Sequence, residues 1–487
     1  MTGETISLSL VSHTNAGKTT LARTLLGRDV GEVRDEPHVT MSADAYPMVQ
    51  TGQGDALVLW DTPGFGDSAR LARRLAQSDN PLGWFMSQVW DRYRDRAFWA
   101  SQQAVRNVRE RADIVLYLVN ASEDPADAGY VIPEMQVLDW VGKPVIVLLN
   151  QLGRPRPAQV EAAEAERWRA HLAHAHCVRA VLPFDAFARC WVQEVVLLQA
   201  LDAALPAARR EAFARLRAQW LRLRRAVFDR SMREIARRLA RAAVDREAAA
   251  ESGWSAKLRD LGAALGIARD GEQSPRNAAM TRLAARLDDA IAASNDRLIG
   301  IHGLDGRARV EILTRLAEHY AVTERLSEGK AAALGGVVAG ALAGLKADIA
   351  SGGLTFGAGL LTGGVLGALG AAGLARGYNL VRGAGVTTVA WTDEVVIGLA
   401  APATMTYLAI AHYGRGRGEW SPSQYPQHWA PAVEQACAAR RPALQGAIQG
   451  REQAGGQERI EAALAPLAGE IALEVLERLY PGTPLRG

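Results

Sequence analysis

The chain has 487 residues, 48% hydrophobic and 22% charged, which excludes a wholly disordered or fibrous protein and suggests roughly three domains. Its 56 basic and 53 acidic residues leave a net charge of +3, too small to mark a protein that coats nucleic acid. Only five basic residues are lysines (Lys18, Lys143, Lys257, Lys330, Lys346), so each lysine stands out against a background of arginine. Three widely spaced cysteines, Cys177, Cys190 and Cys437, argue against a disulfide framework and for a reducing, cytoplasmic compartment. The N-terminus runs into an apolar segment without a basic leader region, so no signal peptide is expected.

Short apolar runs alternate with helical stretches through the first 190 residues. Strands are predicted at Ile6 to Val11, Ala56 to Trp60, Ile114 to Val119, Pro144 to Leu149 and Val178 to Leu182. This rhythm predicts an α/β domain over 1–190, a mostly parallel sheet with helices on both faces.

The first strand leads into Ser12-His13-Thr14-Asn15-Ala16-Gly17-Lys18-Thr19-Thr20. That is the G-x-x-x-x-G-K-[ST] phosphate loop with Ser in place of the first Gly. Such a bend aims backbone N–H groups at phosphate oxygens at a helix N-terminus. Lys18 is expected on the β- and γ-phosphates and the Thr19 hydroxyl on Mg²⁺. A second motif, Asp61-Thr62-Pro63-Gly64-Phe65-Gly66-Asp67, follows the strand ending at Trp60. There Asp61 is placed to hold the Mg²⁺ shell and the Gly64 amide to sense the γ-phosphate.

With both motifs in the same order, the chain resembles the Era/TrmE-like GTPases of the translation-factor-related class. More narrowly, it is similar to bacterial proteins that join such a domain to a C-terminal domain of unknown function. The resemblance covers residues 5–155 and implies a Mg²⁺-dependent enzyme that binds and slowly hydrolyses GTP. It implies that Asn15 helps hold K⁺ beside the phosphates and that Thr40 is the switch I ligand of Mg²⁺, with Thr51 a weaker competitor. Phe65 stands where Ras-like relatives place a water-orienting glutamine. The family's Asn-Lys-x-Asp is here Asn150-Gln151-Leu152-Gly153. Asn150 is retained to contact the base and brace the loop, but Gly153 has no carboxylate to read guanine. GTP is therefore the first reading, and ATP or relaxed specificity remains open.

Residues 66–112 form an insertion beside the second motif, with Trp84, Phe85, Trp90, Tyr93, Phe98 and Trp99 interleaved with arginines. These aromatics either cover the sheet or dock a partner. His171, His174, His176 and Cys177 cluster in sequence, at a spacing that fits no common zinc pattern.

An Arg-rich helical domain is expected over 191–330. Leu216, Trp220, Leu223 and Val227 make an apolar stripe. Between Arg209 and Arg241, 12 arginines face three acids, either as a solvated face or as a contact for anionic lipid or RNA. Residues 331–414 read as a Gly/Ala-rich hydrophobic helical hairpin, with Gly336, Gly340 and Gly344, then Gly359, Gly363 and Gly367, at four-residue steps. This hairpin either meets the cytoplasmic face of the inner membrane or packs within a soluble bundle or homo-oligomer. A linker and helices over 415–487 complete the chain. The functional expectation is a GTP-driven switch near the membrane. The alternatives are an RNA- or ribosome-binding assembly factor and a nucleotide-controlled membrane-inserting oligomer.

Overall fold

A computed structural model describes residues 3–13, 16–27, 43–66, 68–77, 96–152, 156–186, 190–248, 275–304, 378–383, 386–413, 426, 428–452 and 455–485. The chain divides into two units, 1–226 with 411–421 and 476–487, and 227–410 with 422–475.

The first unit is built on six strands: β1 (Thr5–Ser12), β2 (Asp44–Gln50), β3 (Ala56–Asp61), β4 (Ile114–Asn120), β5 (Val145–Asn150) and β6 (Val178–Pro183). Their order is β2-β3-β1-β4-β5-β6. All pairs are parallel except β2 with β3, whose register shifts between Pro47 and Val49, where Pro47 has no N–H to give the ladder. Side chains alternate between two cores, as a pleat of period two requires. In β4, Ile114, Leu116 and Leu118 enter one core, and Val115, Tyr117 and Val119 enter the other.

Helices cover both faces. They are α1 (Lys18–Leu26), α2 (Ser68–Leu75), α3 (Arg96–Arg111), α4 (Val131–Val141), α5 (Ala158–His171), α6 (Trp191–Ala204) and α7 (Ala207–Val244). The predicted mostly parallel α/β sheet is therefore present, with β2 added as an antiparallel edge.

The 38 residues of α7 depart from the predicted stripe. Leu216 and Trp220 are buried, but Leu223 is 51% exposed. Burial resumes at Phe228, Met232, Ile235 and Leu239, so positions 223 and 227 fall between two separate apolar stripes.

The second unit contains α8 (Pro275–Ile301) and a three-stranded antiparallel sheet, β7 (Arg246–Ala248), β8 (Tyr378–Gly383) and β9 (Val386–Trp391), in the order β7-β9-β8. After these come α9 (Asp393–Gly398), α10 (Ala400–Ala411), α11 (Trp429–Ala439), α12 (Arg441–Ile448) and α13 (Gly456–Leu479). The expectation of a helical hairpin over 331–414 lies outside the described residues as far as residue 377. Its described part is corrected at 378–383 and 386–391, which pair as strands. The β-branched run Val386-Thr387-Thr388-Val389 suits a pleated surface better than a helix. Beyond it, Asp393–Ala411 is long and apolar enough to cross a membrane, and two thirds of it is buried inside the protein. Phe228 meets Tyr407 edge-on at 5.8 Å in this core.

Candidate phosphate-binding site

β1 delivers Ser12, fully buried, at its C-terminal end, and α1 begins six residues later at Lys18. Gly17 bends the chain between them with φ 88°. A Cβ there would stand 2.8 Å from Asn150 Nδ2, so only glycine satisfies both the bend and the packing. The first-turn amides of a helix have no partner within the helix, which suits the start of α1 to an anion.

Lys18 is buried, and its Nζ donates to Ser12 Oγ at 2.9 Å. The serine that breaks the glycine pattern thus holds the ammonium group. Burial pushes the lysine below its ordinary pKa, while the nearby Asp61 and Glu134 carboxylates oppose that shift.

Thr19 Oγ1 donates to Asp61 Oδ2 at 2.7 Å, joining the start of α1 to the end of β3. The other carboxylate oxygen, Asp61 Oδ1, is buried without a hydrogen-bond partner. Burial raises the Asp61 carboxyl above the usual aspartate range, partly offset by the Thr19 hydrogen bond and Lys18. A half-buried hydroxyl bonded to a buried carboxylate with one idle oxygen fits a hard divalent cation such as Mg²⁺. Ala16 and Thr20 are also buried, and Gly64 is buried beside Phe65. Thr14, Asn15 and Thr40 lie outside the described residues, as does Gly153. Thr51 is corrected as a switch candidate. It belongs to the β2–β3 turn, where its hydroxyl bonds Asp55 at 3.1 Å, at the end of β3 opposite Asp61.

Phe65 N donates to Ser12 O at 2.8 Å, and the phenylalanine ring is fully buried in the core. It closes the second motif onto the first and presents nothing to a water molecule.

One group was missed in the sequence. Glu134, in α4, is completely buried. Its carboxylate accepts from Ser68 Oγ at 2.5 Å and Tyr117 OH at 2.6 Å, and His13 Nδ1 lies 2.7 Å away. The His13 ring also stacks on Tyr130 with centroids 4.4 Å apart. A single carboxylate therefore ties the phosphate loop, the first residue of α2 and β4 together. Its sequence signal was one acid within the apolar run Val131-Ile132-Pro133-Glu134-Met135.

Asn150 acts as a brace. Its Nδ2 donates to Ala16 O at 2.8 Å and its Oδ1 accepts from Ala186 N at 2.8 Å. Gln151 follows with φ 59°, and Leu152 N donates to Asp185 Oδ2 at 2.7 Å. A carboxylate from the loop after β6 thus lies at the end of β5.

Phe98 packs in the core under the Arg70 guanidinium, 4.8 Å from its ring centroid, so this insertion aromatic covers the sheet. Trp84, Phe85, Trp90 and Tyr93 lie outside the described residues. Cys177 is buried, and its amide bonds Asp139 Oδ1 at 2.6 Å.

Residues 7–151 match the family described as 50S ribosome-binding GTPase, and residues 318–465 match a domain of unknown function, DUF3482. The chain is 27% identical over 153 residues to GTPase Der of Caldanaerobacter subterraneus subsp. tengcongensis, covering 30% of this chain and 28% of that protein. It is 26% identical over 145 residues to GTPase Era of Heliobacterium modesticaldum, covering 30% of this chain and 39% of that protein. The chain thus spans less than two fifths of the length of these curated relatives. A crystal structure of Aquifex aeolicus Era bound to GDP.AlF4⁻ aligns with TM-score 0.32 and 18% identity, covering 42% of this chain and 57% of that one. Residues 7–151 thus carry a GTPase domain similar to those of Era and Der, and a second family domain matches in the C-terminal half.

Proposed function

We propose that the protein is a Mg²⁺-dependent molecular switch that binds GTP and hydrolyses it slowly. The observation that carries this reading is the paired arrangement at the head of α1. Lys18 is buried and held by Ser12, and Thr19 is bonded to Asp61, whose second oxygen is idle.

Lys18 and the first amides of α1 would grip the β- and γ-phosphates, and Thr19 with Asp61 would hold the metal. When bound, Mg²⁺ supplies positive charge that offsets the charge developing on the phosphoryl oxygens. The chain's own part is positioning. The Gly64 amide reports the γ-phosphate, Thr40 closes switch I, and a water attacks in line. Because the Phe65 ring is buried, that water is oriented by another group, which makes intrinsic turnover slow. Asn15 would place K⁺ beside the phosphates, and equal rates in NaCl and KCl would remove that part.

The test is equilibrium titration of the full-length chain with GTP, GDP, ATP and ADP, beside Lys18→Ala. GTP and GDP should bind, and Lys18→Ala should weaken GTP by at least about 100-fold, since a charge-assisted contact in a dry site is lost. Unchanged affinity in the variant would overturn the proposal.

Ribosomal RNA as the partner is a second reading, favoured by the ribosome-binding description of the family that residues 7–151 match. Co-sedimentation with ribosomal subunits in GTP but not GDP tests it. Membrane action rests on the composition of residues 331–377, because Asp393–Ala411 is mostly buried. Retention of the chain in a membrane fraction through a high-salt wash tests that.

A further inference from the structure

Four arginines in the first-unit part of α7 are tied to carboxylates: Arg209 to Asp113, Arg215 to Asp55, Arg217 to Asp202 and Arg224 to Glu194, with N–O distances from 2.8 to 3.4 Å. In the second unit, Arg237, Arg238 and Arg241 line a cavity of about 340 Å³ with Ala290 and Arg297 of α8 and Gln457 of α13. Residues 237 and 241 are one turn apart on α7, and 290 and 297 are two turns apart on α8, so each helix turns one face to the space.

The lining holds four guanidinium groups and no carboxylate. Arg238 is 5% exposed, and its Nη1 donates to Asn295 Oδ1 at 3.2 Å, which fixes the fork. Arg297 bonds Glu234 at 2.8 Å. Arg237 reaches Glu234 and Glu461 only at 3.5 and 3.4 Å. Arg241 makes no ion pair among the described residues. Among the described residues Arg237 and Arg297 share the two carboxylates Glu234 and Glu461 and Arg241 has none, which leaves an excess of positive charge on this face. Gln457 belongs to the first turn of α13, where a helix carries partial positive charge. The lining has no aromatic ring and only one apolar residue, so it offers nothing on which a base or acyl chain could stack. The volume falls in the range of small-ligand cavities, about 300–1,000 Å³.

We propose that this cavity binds a phosphate group bearing two or more charges, a phosphomonoester or a diphosphate. Planar guanidinium forks match phosphate oxygens two at a time, and several converging forks favour a multiply charged head over a single carboxylate. The group is carried either by a small soluble compound or by a lipid headgroup, which present the same chemistry.

The experiment uses the full-length chain with Lys18→Ala, so that pyrophosphate does not report on the first site. It is titrated with inorganic pyrophosphate by calorimetry, alone and with Arg241→Glu or Gln457→Glu added. Both positions are exposed, and circular dichroism verifies that the fold is kept. Flotation with phosphatidylcholine vesicles, with and without phosphatidic acid, runs in parallel. Pyrophosphate should bind, and each added charge should weaken it at least about tenfold, or about 1.4 kcal/mol. If phosphatidic acid recruits the chain, pyrophosphate competes and Arg241→Glu abolishes it, the source is a lipid headgroup. Pyrophosphate binding without flotation makes it a soluble compound. Equal pyrophosphate affinity in all three proteins, or no binding of either phosphate source, overturns the proposal. So does an RNA complex that Arg241→Glu weakens but pyrophosphate does not compete, since that describes an open surface.

Discussion

Asp185 stands where one residue would restore a function that its motif has lost. Guanine presents an N1–H and an exocyclic N–H₂, and both need an acceptor. Gly153 cannot supply one, and Asn150 is committed to Ala16 and Ala186. Asp185 brings a carboxylate to the same strand ends, 2.7 Å from the Leu152 amide. If it reads the base, Asp185→Asn should weaken GTP by about 100-fold, the scale of a lost base-reading hydrogen bond in a buried site. The same change should strengthen xanthosine triphosphate, whose second ring carbonyl accepts from the new amide. Competition titrations with the two nucleotides check this. Unchanged GTP affinity with no gain for xanthosine triphosphate would remove Asp185 from base recognition. In the sequence, Leu182-Pro183-Phe184-Asp185-Ala186 lies about where a last base-contacting loop would fall but matches it only weakly, and the neighbourhood of Asp185 with Leu152 exists only once β5 and β6 pair.

The same contrast holds for whole elements. β4 and β5 were legible because strands buried on both faces read as unbroken apolar runs, such as Ile114-Val115-Leu116-Tyr117-Leu118-Val119, and β1 because Ile6, Leu8 and Leu10 alternate with Ser7 and Ser9 at the strand period. β2 was not, since Asp44-Ala45-Tyr46-Pro47 is an exposed edge with a proline, and edges lack that signature. β8 and β9 were hidden inside a glycine-rich stretch whose composition suggested helices. The phosphate loop was legible because its chemistry needs fixed residues at fixed steps. The carboxylate of Glu134 was not, because Ser68, Tyr117 and His13 approach it from three different elements. That clasp makes a prediction for α4 and its neighbours. Glu134→Ala would strand the buried Tyr117 donor and leave Ser68 only its longer bond to Gly66 O, and should destabilise the first unit by about 2–3 kcal/mol in urea unfolding. Glu134→Gln keeps an acceptor for one of those donors and should lose less. If the clasp also aligns the loop with α2, GTP hydrolysis should fall further than GTP affinity in both variants.

At the scale of the molecule, two units with separate cores raise the question of whether they unfold separately. Asp288 offers a handle on the second. Burial, with the charge of Asp289 adding, pushes its carboxyl up to about 7, and its Oδ1 is buried without a hydrogen-bond partner. The folded state therefore keeps this proton at pH values where the unfolded chain, near 3.9, has released it. Its contribution to stability is most favourable below the unfolded value. It falls as pH rises towards 7 and stays low above that. Asp288→Asn should remove this slope and stabilise the second unit at pH 8 by about 1–2 kcal/mol, discounted because the group is only partly buried. At pH 4 the variant should match the wild type. A nucleotide acts on the other unit. GDP with Mg²⁺ at about 100 times its dissociation constant should stabilise the first unit by about 2.7 kcal/mol. Scanning calorimetry at pH 8 then separates the cases. If the units are independent, GDP moves one transition and Asp288→Asn moves the other. If both perturbations move a single transition, the two cores unfold as one cooperative body, and events in the phosphate loop are energetically felt in the C-terminal half.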